Sequence, residues 1–362
     1  MSARVDIAVV GAGAAGIAAA VVSARAGHPT LLLDDRPAAG GTGGHSGLTT
    51  LCGLFDDAGN YLNEGFSREF ADAVTEAAPL KMGKVYVLPY RPARFRDVAD
   101  RLIRAEKNLR PVWNTPVQRV TLTDDRVTHV NEWEVGAVID CSGTAEVARA
   151  AGADCLATDE KTQAPAVIFA LENVRRDLGS PAAVAQVLLP LARAGFPPLT
   201  FHSEPEPTTL TVKFTGRPDQ ATQVIEFLRA KVPGFEQCRT PSTEFKATSR
   251  AGRMIIGRQL LTGADVLAAQ HFPDAIARCA WPIEQWGADG VARYRYLPDG
   301  THYDIPAGCL RAAKIKNLFM AGKTISADVD AIASARVMGC CLATGAAAGQ
   351  LAAKALELTQ TK

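Results

Sequence analysis

Apolar and polar positions alternate along this chain in a way that marks strands and helices before any other property is considered. Val5-Asp6-Ile7-Ala8-Val9-Val10 reads as a buried strand and Gly11-Ala12-Gly13-Ala14-Ala15-Gly16 as a turn. Ile17 to Ala26 reads as an alanine-rich helix stopped by Gly27, and Thr30-Leu31-Leu32-Leu33 as a second strand closing on Asp34-Asp35. Further on, the pattern predicts strands over Gly136–Asp140, Thr209–Phe214 and Leu318–Met320. It predicts a helix over Gln220–Ala230 and a long helix from about Ser334. Proline-rich turns are expected at 197–207 and 233–241. The segment from Arg36 to Gly47 is too rich in glycine for a helix and too long for a tight turn, so it reads as a loop.

The apolar run Ile7–Val22 also resembles a membrane span or signal core in composition. It is only 16 residues long, short of the ~20 that a spanning helix needs. Asp6 stands where a signal peptide carries positive charge, and no small-residue cleavage site follows. The expectation is a soluble, cytoplasmic protein.

A strand, a GxGxxG turn, a helix, a second strand and a terminal acid form a βαβ unit with a dinucleotide-binding fingerprint. Gly11 makes the tight turn, Gly13 admits a pyrophosphate against the backbone, and Gly16 lets helix and strand pack closely. The helix start offers free N–H groups and partial positive charge to phosphates, and Asp34 can accept from a ribose diol.

Composition narrows the partners. The 362 residues carry 39 Lys+Arg against 38 Asp+Glu, a net charge of +1 without a basic run, which argues against nucleic acid and anionic membranes. At 47% hydrophobic and 21% charged residues the chain is globular and long enough for two domains. Its eight cysteines are scattered, with no CxxC and no His-linked spacing, so they read as reduced core thiols rather than metal ligands or disulfides. No metal is expected.

Several stretches together resemble the FAD-dependent oxidoreductases related to the fumarate reductase and succinate dehydrogenase flavoproteins. The resemblance is to a bacterial group with a "GGT" loop, an "ID-A-TG" strand, an "RESRR" segment and a terminal "YDIP…NLLVAGR-ISA…RVM" block. The matching residues are Gly40-Gly41-Thr42, Val138–Gly143, Arg250–Gly257, Phe272–Arg278, Tyr303–Pro306 and Asn317–Gly349. The resemblance implies an α/β fold, a discontinuous Rossmann-like FAD-binding domain from residues 1–165 and 305–362, and a mixed α/β substrate domain inserted at 166–304. It implies FAD as cofactor, with contacts from Gly11, Gly13, Ala14, Ala15, Gly16, Asp34, Asp35, Arg36, Gly41, Thr42, His45, Ser46, Val117, Cys141, Ser142, Gly143, Gly322, Arg336 and Val337.

The candidates for chemistry are His45, Arg336, Arg253 and Asp330. His45, in the glycine loop, is open to three roles: a covalent histidyl link to FAD, a proton shuttle, or a loop hydrogen bond. Arg336 reads as a clamp for a substrate carboxylate or carbonyl at the start of the last helix, or as a salt bridge at a domain seam. Arg250 and Arg253 read as an anion clamp or a domain-bridging ion pair. The segment has Ala251 and Met254 where relatives have Glu and Arg. Asp330 stands in for the His-Glu of relatives, at Val329-Asp330. Cys52 reads as a buried thiol, with a redox role as the alternative.

The function expected is hydride transfer between a small organic substrate and the flavin. A separate electron carrier or molecular oxygen would complete turnover, since no second GxGxxG lies between 150 and 300. The alternatives are a flavin-dependent monooxygenase, which the Ala321-Gly322-Lys323 sequence disfavours, and a flavoenzyme modifying a peptide or other macromolecule.

Overall fold

The computed structural model describes residues 4–158, 163–203, 208–241 and 244–360. Strand β1 (Arg4–Val10) runs buried into the Gly11 turn, helix α1 (Ala14–Arg25) returns along the sheet, and β2 (Thr30–Leu33) pairs parallel to β1. Ten of the twelve α1 residues are buried, and its surface is almost wholly alanine, valine and glycine. A helix apolar all round must be covered on every side. The sheet covers one side, and the C-terminal helix Met338–Gln360 covers another. Gly345 allows the closest approach there, because a Cβ at that position would lie 2.1 Å from the Ala15 carbonyl oxygen.

The main sheet has seven strands. Its order runs Leu109–Val112, β2, β1, Trp133–Asp140, Arg126–Val130 and Val120–Thr123, with Leu318–Met320 also paired to Trp133–Asp140. The pairs around β1 and β2 and the Leu318–Met320 pair are parallel, whereas the hairpin of Val120–Thr123 with Arg126–Val130 is antiparallel. Residues near the two ends of the chain therefore share one sheet. Parallel strands buried on both faces explain the continuous apolar runs that marked them in the sequence.

The middle of the chain builds a separate antiparallel sheet, ordered Leu199–Ser203, Leu210–Thr215, Ala166–Leu171, Ala247–Thr248. The helices Pro181–Arg193 and Gln220–Lys231 belong to this part, which has its own core around Phe169, Val212, Phe214 and Leu228.

Four expectations need correction. Residues Gly41–His45 of the expected loop form a short helix, α2. Glycine there is tolerated because neighbours hold the turn: Tyr90 Oη donates to the Gly43 carbonyl at 2.9 Å and Arg96 to the Gly44 carbonyl, while a Cβ at Gly43 would lie 2.5 Å from the Phe95 ring. Helix α1 starts at Ala14, three residues earlier than expected. The last helix is two helices, Val329–Ala335 and Met338–Gln360, bent by 96° at Arg336-Val337, so Arg336 closes one rather than opening the other. The strand Leu199–Ser203 occupies part of the expected 197–207 turn, and 204–207 lie outside the described residues.

Among the described residues no single helix is long and apolar enough to cross a membrane. The bent pair passes that test by length and composition only, and much of it is packed into the core with α1.

Candidate functional site

The glycine turn is built by close backbone contacts. Gly11 has φ +97°, and a Cβ there would lie 2.5 Å from the Cys141 carbonyl oxygen; one at Gly16 would lie 1.6 Å from the Gly11 oxygen. Gly13 caps α1 without any side-chain acceptor for the first N–H groups, and a Cβ on it would meet only Gly41 Cα, at 3.9 Å. The helix start is thus open to an anionic ligand. Asp34, half-buried at the end of β2, accepts from the Ala12 N–H and from the Arg36 N–H at 2.9 Å. Burial raises its carboxyl above the ordinary aspartate value, opposed by those two N–H donors. Asp35 and Arg36 are exposed just beyond it.

The 40–47 segment joins this turn to the middle sheet. Gly40 N–H donates to the Ala12 carbonyl at 2.9 Å, and a Cβ at Gly41 would sit 2.7 Å from Gly13 Cα. At the other end, Gly47 abuts Ile168 of the strand Ala166–Leu171. His45 is exposed, its Nε2 3.2 Å from the Ala39 carbonyl oxygen; Thr42 is exposed, and Ser46 Oγ donates to the Thr42 carbonyl at 2.6 Å.

Behind the turn, the buried Asp140 carboxylate organises residues 141–148. It accepts from Ser142 N–H and Oγ and from the N–H groups of Val147 and Ala148. Ser142 is therefore committed to its own loop, and the half-buried Cys141 has a thiol pushed well up by burial. Gly143, at φ +76°, lies beneath Lys323, whose Nζ donates to the Ala251 carbonyl at 3.3 Å. Gly322 has φ +70°, and its N–H donates to Thr344 Oγ1 at 3.1 Å.

Ile168 is the ladder partner of Lys213, and here the site becomes strongly charged. Lys213 Nζ lies 4.8 Å from the Trp286 ring centroid and Arg250 Cζ 4.2 Å from the same ring. Arg250, buried, donates to the Ala164 carbonyl and, at 3.3 Å, to Thr215 Oγ1. Arg336 donates through Nη2 to Gln163 Oε1 at 2.9 Å, with the Glu284 carbonyl at 3.4 Å; its Nε is buried with no partner among the described residues. Glu284 accepts from the indoles of Trp281 at 2.9 Å and Trp286 at 2.6 Å. Burial raises its carboxyl, but Arg336, Lys213 and the indoles outweigh that and hold it below the usual glutamate range. Burial lowers the Arg336, Lys213 and Lys323 side chains below their ordinary values. Cys52, close to this group, is pushed up to about 12 by burial and the Glu284 charge, so it is a thiol near neutral pH rather than a nucleophilic thiolate.

The other expected residues lie elsewhere. Arg253 is exposed on the strand Arg253–Ile255, away from its buried neighbour Arg250. Asp330 accepts from Gln285 Nε2 at 2.7 Å and pairs with Arg295 at 2.6 Å. Val117 is half-buried against the core beside β1, and half-buried Val337 presses towards Gly53. His271, His302 and Asp304, which have no metal spacing in the sequence, bring potential ligand atoms within 4.8 Å of one another.

Sequence reasoning missed Lys213, Glu284, Gln163 and Trp286. One signal was present: in Leu210–Thr215 the alternation sets Lys213 on a face with Thr211 and Thr215, opposite Leu210, Val212 and Phe214. A lysine in the middle of so apolar a strand needs a reason.

The parallel sheet, the glycine turn and the acid at the end of β2 define a dinucleotide-binding flavoprotein of Rossmann type. The family model for FAD dependent oxidoreductases matches residues 6–212 and 199–361, and the chain belongs to that family, with FAD as its cofactor. No curated protein sequence matches the chain. Similar solved structures include a geranylgeranyl bacteriochlorophyll reductase-like protein from Thermoplasma acidophilum, at 14% identity and TM-score 0.54. That alignment covers 99% of this chain and 80% of the other. GidA from Aquifex aeolicus matches at 14% identity and TM-score 0.54 over 98% of this chain and 64% of its own. The flavin-dependent brominase Bmp2 matches at 12% identity and TM-score 0.52 over 98% and 80%. Likeness at these identities concerns the fold alone. The narrower kinship with fumarate reductase and succinate dehydrogenase flavoproteins rests on the sequence motifs only.

Proposed function

We propose that this protein transfers a hydride between a small organic substrate and FAD in the cleft between the glycine turn and the Trp286 cluster. The observation that carries this reading is continuity. The Gly13 turn touches Gly41, the same short loop ends at Gly47 against Ile168, and Ile168 pairs with Lys213 beside Trp286. An uncapped helix start and a charged end are thus joined by one glycine-rich segment.

The residues present fit FAD. The uncapped α1 start and the bare Gly13 would hold the pyrophosphate, Asp34 the ribose hydroxyls, and the backbone of Gly40–Gly47 the flavin end. Bound FAD would supply the hydride-accepting and hydride-donating chemistry. The chain's part is to orient the substrate, exclude water and set the charge. Arg336, immobilised by Gln163, and Lys213 place positive charge in the cleft, while Cys52 stays protonated. The proposed division is a discontinuous FAD domain, 1–165 with 305–362, around a substrate domain at 166–304.

Anaerobic mixing of the FAD-loaded protein with small organic donors tests this. Bleaching of the visible flavin absorbance by such donors, or reoxidation of the reduced protein by an unsaturated organic acceptor, is the expected result. Reduction by NAD(P)H alone, with no response to any organic donor or acceptor, would instead place the protein with the monooxygenases.

A further inference from the structure

The Trp286 cluster holds more positive charge than its own residues balance. Lys213, Arg250 and Arg336 gather there with one carboxylate, Glu284. That carboxylate forms no ion pair within 4 Å among the described residues; its oxygens are taken by the Trp281 and Trp286 indoles, with Tyr294 Oη at 3.4 Å. Lys213 Nζ makes no hydrogen bond among the described residues and rests on the Trp286 ring. Arg336 keeps Nε buried and unpartnered while Gln163 fixes its Nη2. His202, on the strand paired with that of Lys213 and opposite Thr211, is pushed down to about 4 by burial and the Lys213 charge, so it is neutral near pH 7 and adds nothing.

Three cations sharing one carboxylate leave a desolvated site short of negative charge, which is costly, and a guanidinium with an unpartnered N–H suits a carboxylate acceptor. Arg336 Nε and Lys213 Nζ have no hydrogen-bond partner among the described residues, and both side chains belong to the charged end of the proposed cleft. We infer that this cluster binds the carboxylate of the substrate, so that the protein acts on small organic acids. The inference rests on the hydride-transfer reading for the role of the bound acid, but the binding itself is measurable without turnover. Lys213 and Arg336 make the contact; Arg250, already committed to Ala164 and Thr215, holds Trp286 and contributes charge.

The test is titration of the FAD-loaded protein with acetate, benzoate and oxalate, set against acetamide, benzamide and inorganic phosphate. Binding is read by calorimetry and by perturbation of the visible flavin spectrum. Carboxylates are expected to bind saturably and shift the spectrum, and the amides are not. Lys213→Gln should weaken carboxylate binding at least about tenfold, the loss of one charge-assisted contact, and Lys213→Arg should retain it. FAD affinity should stay within about twofold in both variants, since the phosphate-binding turn is untouched.

Equal binding of amides and acids would overturn the inference, as would phosphate binding more tightly than every carboxylate. A Lys213→Gln protein that loses FAD while keeping carboxylate affinity would also overturn it, because the cations would then serve the cofactor. Carboxylate binding without any exchange of electrons with organic donors or acceptors would uphold this site and defeat the hydride-transfer reading alone.

Discussion

Lys213 shows how much one residue can change a site. Burial holds its ammonium below the ordinary lysine value; Glu284 opposes that shift, while Arg250 and Arg336 reinforce it as like charges, and Cys52 faces it as a neutral thiol. Only the protonated form attracts a carboxylate. Affinity for benzoate should therefore be full at neutral pH and fall as pH rises through the lowered lysine pKa, whereas Lys213→Arg should hold its affinity further into alkali. Calorimetric dissociation constants across pH check this, and a profile identical in the two proteins would contradict it. The glycine turn and the acid after β2 were legible residue by residue, because Gly11, Gly13, Gly16 and Asp34 lie within one local βαβ unit. The charged end was not, because Gln163, Lys213, Arg250, Glu284 and Arg336 meet only through tertiary packing, and just the two arginines stood out in the sequence.

At the level of elements, tertiary contacts override local preference in two places. Ser334-Ala335-Arg336-Val337-Met338 has no proline or glycine, so its pattern continues a helix. The chain bends there because Arg336 turns towards Gln163 and Glu284, while Gly339 fits so closely on Gly53 that a Cβ would lie 2.4 Å from its carbonyl carbon. Conversely, α2 is a helix despite three glycines, held by Tyr90 and Arg96. The alanine- and glycine-rich surfaces of α1 and the C-terminal helix fit each other for want of side chains. Gly345→Ala, with its Cβ directed at the Ala15 carbonyl oxygen 2.1 Å away, should destabilise the protein by about 1–3 kcal/mol, the usual cost of overpacking. The urea midpoint measures this, and an unchanged midpoint would show the two helices to be looser than described.

For the whole molecule, the net charge of +1 conceals a concentrated positive site inside a balanced surface. The length allows two domains, and the proposed cut is supported by pairing: Leu318–Met320 joins the sheet of β1, and the C-terminal helix covers α1. Removing residues 305–362 should therefore abolish cooperative unfolding and FAD uptake, rather than trim a tail. Circular dichroism melting of the shortened chain tests it, and a sharp transition with FAD still bound would contradict the discontinuous domain. The βαβ unit of β1 and β2 was foreseeable from motif spacing, whereas the place of Trp133–Asp140 on the other side of β1 was not. Of the separate antiparallel sheet only Leu210–Thr215 was foreseen as a strand, and Leu199–Ser203 lay hidden in a proline-flanked segment.

The proposed FAD site turns on phosphates lying against Gly13, and one substitution isolates that contact. Gly13 has φ −79° and room for a Cβ, so Gly13→Ala should alter the stability of the FAD-free protein by no more than about 1 kcal/mol, the scale of a cap change. If the pyrophosphate needs that bare backbone, the same change should weaken FAD binding by about tenfold or more, through steric displacement of a charged contact. Fluorescence titration of FAD against the two proteins gives the answer directly. A tenfold loss at unchanged apo stability is the predicted result, and equal FAD affinity would contradict the placement of the cofactor.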